Sequence, residues 1–397
     1  MRLDYKWQAA LVASIGLFMA VLDNTIVNVA LPQMQAAFNT DRTTITWVAT
    51  AYFLAQAAVI PVTGYLSDRI GTKVVFFSAL LLFTIGSGLC ALSPNEGFLF
   101  AFRIVQGVGG GALFPLAFAI VFRVFPPAER GPASAVVAVP VLLAPAFGPT
   151  IGGYLTTTFD WRAIFTINLP VGVVALALTA VVLRGRQADQ ATLDAEGGGP
   201  AALQRKRFDV SGLVLAMAGF TAAVYGISEA GTNGWNDTIF QSFQVGGLHV
   251  QLSVLRYLIL GGALLLAFIV NELLVSDPVL DVKLFLNYTF TMANVLIWGV
   301  SAFLFGTLLL LPLFFENVQG QSALATGEIL IPAGVASAVT TALAGRLYNV
   351  VGPRLLTALG FALIVAGTFG FTQLDVATSS TSLQPYLILR GLGLGFA

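Results

Sequence analysis

The sequence predicts an all-α protein that crosses a lipid bilayer many times. The chain is 57% hydrophobic and only 10% charged, whereas soluble domains carry about 25% charged residues. These charges are too few to coat a soluble globule. Apolar runs of the length a helix needs to span a bilayer, about 20 residues, recur along the whole chain. Spanning segments must be helices or closed barrels, and runs this long and continuous exclude a barrel.

Taken in order, hydropathy places helices at 8–31, 45–66, 74–93, 98–122, 133–156, 163–183, 209–230, 254–275, 288–314, 325–348, 355–374 and 383–397. The first has a basic start but is too long and too polar-flanked for a signal peptide. The last is short of a full span. Basic residues set the orientation. With the N-terminus inside, the inner segments hold Arg2, Lys6, Arg69, Lys73, Arg123, Arg130, Arg184, Arg186, Arg205, Lys206, Arg207, Lys283, Arg346 and Arg354. The outer segments hold Arg42, Arg162 and Arg256. This is a strong positive-inside bias. It predicts a multi-pass membrane protein with a cytoplasmic N-terminus.

The polar stretch from Arg184 to Arg207, with its Gly197-Gly198-Gly199-Pro200 turn, reads as a cytoplasmic linker. An internal repeat surrounds it. Gly64-Tyr65-Leu66-Ser67-Asp68-Arg69-Ile70-Gly71-Thr72-Lys73 matches Gly345-Arg346-Leu347-Tyr348-Asn349-Val350-Val351-Gly352-Pro353-Arg354. Leu31-Pro32 corresponds to Leu311-Pro312, and the Gly-rich helix after Arg103 has a counterpart in Arg390-Gly391-Leu392-Gly393. Related halves are a hallmark of secondary transporters. Four blocks follow: an N-terminal six-helix bundle (1–183), a linker (184–208), two inserted helices (209–275) and a C-terminal bundle (276–397). The outer segment from about Gly231 to Ser253 carries few signals and reads as a loop.

Several chemistries are excluded. Net charge is zero, so no bulk attraction to nucleic acid is implied. Cys90 is the sole cysteine and His249 the sole histidine, which leaves no disulfide framework or clustered metal site. There is no phosphate-binding loop, and Gly107–Gly111 lies inside an apolar helix rather than in a dinucleotide fingerprint. No cofactor, metal or enzymatic activity is expected.

Asp23 is the sharpest candidate. It lies near the middle of the first apolar run, where a charge costs at least about 2.5–3.5 kcal/mol. It must therefore face a wet cavity or a partner, or bind a proton. Desolvation favours its protonated form, and an opposite charge favours the ionised one. Ionised, it would attract a lipophilic cation; protonated, it would release it. Bonding to Asn24 or Asn28 is the structural alternative. Arg103 either snorkels to the outer surface or acts on a nearby carboxylate, with Gln106 one turn away on the same face. In the 64–73 loop the glycines permit a tight reversal, and Asp68 can accept bonds from a helix start or from Arg69, Arg123 or Arg130. The helix with Pro140, Pro145 and Pro149 lacks backbone donors there, and Gly148, Gly152 and Gly153 allow close helix approach. Glu229 and Glu272 read as interfacial, Glu316 and Glu328 as solvated. Trp47, Tyr52, Trp298 and Phe303 either stack on flat substrates or pack.

Taken together these motifs resemble the major facilitator superfamily. Gly64 to Lys73 resembles its cytoplasmic signature. Arg103-Ile104-Val105-Gln106-Gly107-Val108-Gly109-Gly110-Gly111-Ala112 resembles its fourth-helix motif. Pro145-Ala146-Phe147-Gly148-Pro149-Thr150-Ile151-Gly152-Gly153 resembles the fifth-helix antiporter motif, with Ala144 where the pattern often has Gly. Leu22 to Pro32 and Asp160 to Gly172 are similar to first- and sixth-helix motifs of the fourteen-span drug:proton antiporters of the EmrB/QacA type.

The resemblance implies two pseudo-symmetric six-helix bundles with two central inserted helices and a proton-coupled exporter of amphipathic or cationic drug-like compounds. It also places the chain in the bacterial inner or plasma membrane. Physics alone leaves H⁺ and Na⁺ open. It implies coupling by Asp23, Arg103 and Gln106. A cytoplasmic gating loop would comprise Gly64, Asp68, Arg69, Gly71 and Lys73. An antiporter helix motif would comprise Pro145, Gly148, Pro149, Gly152 and Gly153. Its partners are a small-molecule substrate, H⁺ and the bilayer; a periplasmic adaptor and an outer-membrane channel also serve some relatives. The family continues beyond Arg390, so the chain is expected to be C-terminally truncated, with its last spans missing. Export of one dedicated metabolite or antibiotic, and an inactive membrane scaffold, are the alternative functions.

Overall fold

A computed structural model describes residues 4–183, 209–233, 243–245, 248–250, 255–276, 278–373 and 380–397. The linker predicted at 184–208 lies outside them. Helices α1 (Tyr5–Phe38), α2 (Arg42–Ile70), α3 (Thr72–Ala91), α4 (Glu96–Val124), α5 (Arg130–Thr158), α6 (Ala163–Thr166) and α7 (Asn168–Val182) form the first half. Helices α8 (Val210–Asn233) and α9 (Leu255–Leu274) pair with each other. Then come α10 (Tyr288–Leu313), α11 (Ala323–Val351), α12 (Pro353–Phe369) and α13 (Ser380–Phe396). Among the described residues, ten helices are long and apolar enough to cross a membrane. The protein is a multi-pass membrane protein.

The helices run past the hydropathy windows because polar ends continue them beyond the apolar stretch. The 163–183 segment, expected as one span, divides into α6 and α7 around Ile167. Pro170 lacks the N–H that would bond the Thr166 carbonyl. The outer segment expected as a loop contains a short antiparallel hairpin, β1 (Phe243–Val245) with β2 (Leu248–Val250), in which His249 lies opposite Gln244.

In the first half α4 is the central post. It lies against α1, α2 and α3, and glycine makes this possible. A Cβ on Gly107 would stand 2.6 Å from the Tyr52 carbonyl of α2, and one on Gly111 would stand 2.7 Å from Gln56 Cα. A Cβ on Gly109 would reach the Ala79 and Phe83 backbone of α3. In the second half α13 packs between α11 and α12 in the same way.

The halves meet along α5 and α11. Gly327 abuts Thr150, Gly334 abuts Ala146 and Gly345 abuts Ala135, so the two helices run antiparallel in close contact. The pair α8–α9 lies outside these two halves, with α8 against α2. Trp47 of α2 stacks on Tyr225 of α8, ring centroids 5.5 Å apart. That makes Trp47 a packing residue.

Candidate functional site

Asp23 and Arg103 are each 1% exposed and Gln106 is 0% exposed. The three meet in one cluster between α1 and α4. Arg103 Nη1 donates to Asp23 Oδ2 at 2.6 Å and to Gln106 Oε1 at 2.7 Å, and its Nε donates to the Val48 carbonyl at 3.0 Å. Gln106 Nε2 donates to Asp23 Oδ1 at 2.9 Å. Asn168 Nδ2 donates to the same oxygen at 2.9 Å and to Ser87 Oγ at 3.0 Å. The Arg103 guanidinium lies 4.0 Å from the centre of the Tyr52 ring.

Arg103 therefore does not snorkel. It neutralises Asp23 in place, and every hydrogen bond that Arg103 or Asp23 makes here is charge-assisted, the stronger kind. Asn24 and Asn28 do not bond Asp23. Successive residues on a helix turn by about 100°, and the two asparagines, four apart, share the opposite face.

That face borders a cavity of about 790 Å³ between the halves. Asn24, Thr25, Asn28 and Gln56 supply its polar groups, and Phe53, Phe114 and Leu330 are among its apolar walls. Asp23 is not on the wall. The expectation that Asp23 itself would hold a lipophilic cation therefore fails on geometry: both its oxygens are occupied and it is sealed behind α1. Of the aromatics named from sequence, none borders the cavity. Tyr52 is buried under Arg103, Trp298 is exposed, and Phe303 lies by Arg390.

Gly64 has open space around it. Gly71, at φ 96°, ends α2 and starts α3, and its N–H donates to the Ser67 carbonyl at 3.0 Å. A φ in that range strains any side chain. Asp68 takes Arg123 Nη2 at 2.5 Å, while Arg123 also bonds Thr72 Oγ1. Arg69 bonds Tyr65, and Lys73 Nζ donates to the Ala180 carbonyl at 2.7 Å. Arg130 is used on the Phe122 and Phe125 carbonyls. The Asp68 pair thus lies within one half. A direct tie between halves at this end is Asn349, the repeat mate of Asp68, whose Nδ2 donates to the Ala128 carbonyl at 2.8 Å.

The α5 prolines leave carbonyls without a helical donor. Ser14 Oγ of α1 donates to the Val136 carbonyl that Pro140 frees, at 2.9 Å. Pro145 and Pro149 line the cavity. Gly148 faces Thr25 and Gly152 faces Ile26 of α1, and Gly153 is buried. Glu272, expected at an interface, is 2% exposed and accepts from the Leu280 N–H at 2.8 Å. Glu328 is exposed.

Sequence reasoning did not assign Asn168, Ser87 or Tyr52 to the Asp23 cluster. Each is a polar group inside an apolar helix, the one signal available for it.

A model of the Major Facilitator Superfamily matches residues 13–397. A Multidrug resistance protein B homolog of Mycobacterium tuberculosis is 36% identical over 381 residues, covering 95% of this chain and 65% of the relative. The uncharacterized MFS-type transporter YhcA of Bacillus subtilis is 30% identical over 379 residues, 96% of this chain and 66% of the relative. The chain thus spans just under two thirds of the length of these relatives. The proton:xylose symporter XylE shares the fold at a TM-score of 0.63 and 15% identity, with 99% of this chain and 80% of that chain covered. By its domain match, its fold and these relatives, the chain belongs to the major facilitator superfamily.

Proposed function

We propose that the protein is a proton-coupled exporter of amphipathic or cationic drug-like compounds, working by alternating access. The observation that carries this is the buried Asp23–Arg103–Gln106 cluster set directly behind the cavity wall of α1. Ionised Asp23 locks α1 to α4 through Arg103. Protonation removes the charge that holds Arg103 and loosens that lock. Because Asn24, Thr25 and Asn28 lie on the opposite face of the same helix, a shift of α1 changes the substrate wall in the same motion. Proton and substrate are then linked through one helix, without sharing one site.

Several features support the finer reading. The α8–α9 pair outside the two halves fits the fourteen-span drug:proton antiporter type, with blocks at 1–183, 184–208, 209–275 and 276–397. Relatives carry names such as Multidrug transporter protein MdtP of Bacillus subtilis, 31% identical over 383 residues. Lincomycin resistance protein LmrB of Listeria innocua, 30% identical over 367 residues, favours the narrower reading of one dedicated antibiotic. The basic loops argue for a cytoplasmic N-terminus, and the bacterial relatives support an inner or plasma membrane. Asp68, Arg69, Gly71 and Lys73 would hold the loop between α2 and α3 in the gating role, with Asn349 latching the halves.

The test is proton movement in inside-out membrane vesicles carrying the protein, challenged with a panel of lipophilic amphiphiles. Wild type should release protons on substrate addition, and Asp23→Asn should not. Equal responses would remove Asp23 from coupling. Silence from well-inserted wild type would remove antiport.

A further inference from the structure

The cavity between the halves has a chemical character that the export reading does not specify. Among its described wall residues none carries a charge. The nearest acid on α1, Asp23, faces away and is neutralised by Arg103 at 2.6 Å. A cation entering this space would lose hydration without gaining a counter-ion among the described residues, which is costly in an apolar medium.

The wall is nevertheless rich in hydrogen-bonding groups. Asn24, Asn28 and Gln56 offer primary amides, which both donate and accept, and Asn24 Oδ1 has no hydrogen-bond partner. The backbone adds acceptors. Wall residues Asn28, Gly111, Val141 and Pro145 each stand four positions before a proline on their own helix: Pro32, Pro115, Pro145 and Pro149. A proline has no N–H to give the carbonyl one turn back. The carbonyls of these four wall residues are thereby released from the usual helical bond. Elsewhere on α5 such a carbonyl, that of Val136, is claimed by Ser14, which shows these groups taking a donor when one is at hand.

We infer that the cavity binds uncharged amphipathic molecules bearing hydroxyl or amide groups, with Asn24, Asn28 and Gln56 as the specificity-determining side chains. Donors on the ligand meet the proline-released carbonyls, acceptors meet the amides, and the apolar body lies against Phe53 and Phe114. This rests on the export reading only for its physiological meaning, since binding itself is independent of transport.

The test is equilibrium binding to the detergent-purified full-length protein with two probes: chloramphenicol, an uncharged amide diol, and tetraphenylphosphonium, a permanent cation of similar bulk. Wild type should bind the uncharged probe at least about tenfold tighter, the scale expected from one uncompensated buried charge. Asn28→Asp, with Gln56→Glu as a second variant in case the first misfolds, should reverse that order. Wild type binding the cation as tightly or more tightly would overturn the inference, as would an unchanged order in a folded acidic variant. The same sample reconstituted with a pH reporter separates the two ideas. The expected binding order without proton movement sinks antiport and leaves this inference standing, and proton movement with the cation alone does the reverse.

Discussion

The two halves share a backbone and differ in charge. Gly71 and Gly352 end corresponding helices at φ 96° and 84°, each with its N–H on the carbonyl four residues back. Gly86 of α3 abuts the backbone of Gln106 in α4, and Gly367 of α12 abuts that of Arg390 in α13. Gly107, Gly109 and Gly111 alternate between α2 and α3, and Gly391, Gly393 and Gly395 alternate between α11 and α12. The register of contacts therefore sets Arg390 opposite Gln106, one turn from the pairing with Arg103 that the sequence suggests. Phe303 stands as far before Pro312 as Asp23 does before Pro32. In the first half the α4 amide meets a carboxylate. In the second, a guanidinium 5% exposed lies 5.7 Å from the centre of the Phe303 ring and 5.4 Å from that of Phe371. Its Nε and Nη1 have no hydrogen-bond partner among the described residues. Close helix contact is thus the shared part of the repeat, and among the described residues the buried carboxylate–guanidinium pair lies in the first half.

The largest expected effect breaks that asymmetry at its centre. Arg103→Ala leaves Asp23 buried and uncompensated, and removing one partner of a buried pair costs about 3–5 kcal/mol. Arg390→Gln removes a cation that has no carboxylate to strand, so its cost should be far smaller. Thermal unfolding of the purified variants in detergent compares them directly. The double change Asp23→Asn with Arg103→Gln should recover most of the loss. Equal costs for Arg103→Ala and Arg390→Gln would mean that Arg390 also has a partner.

The glycines sharpen the shared side of the comparison. Gly109→Ala and Gly393→Ala each drive a methyl into backbone of the neighbouring helix. Overpacking of this kind costs about 1–3 kcal/mol. The two costs should agree within measurement error, because both sites face backbone that cannot rotate away. Unequal losses would show that α13 is held less firmly than α4.

How much of this was legible beforehand follows from which physics is local. Helix positions were legible because hydropathy sums over a whole span. Asp23, Arg103 and Gln106 could be named because a charge in an apolar run must be matched nearby. Faces were not legible. Asp23 and Asn24 are neighbours in sequence, yet one is sealed in the bundle and the other borders the cavity, and only packing decides the rotation of α1. Nor could the chain reveal that Asp68 takes Arg123 rather than Arg69 or Arg130, since all three lie within reach in sequence and only the approach of α4 selects one. The burial of Glu272 was hidden for the same reason: its place near a helix end is read from sequence, but not the Leu280 N–H that folds over it.

The smallest effect lies outside the repeat and serves as its control. Asp209 caps α8, with the Gly212 N–H donating to its Oδ1 at 2.8 Å and Ser211 Oγ to the same oxygen at 2.6 Å, while Asn271 Nδ2 of α9 reaches Oδ2 at 2.6 Å. Burial works against the charged form, but these bonds outweigh it and hold the carboxyl below its ordinary value. A lowered value means that Asp209 stabilises the fold above the unfolded carboxyl range, near 3.9, and that the contribution is lost as pH falls through the folded value. Asp209→Ala should therefore cost about 1 kcal/mol near neutrality, the usual worth of such a cap, and progressively less in acid. Because α8 packs on α2, and α9 on α8, the substrate-triggered proton release proposed above should be unchanged. A loss of proton release in Asp209→Ala would tie the outer helix pair to the transport cycle and end the view that the pair stands outside it.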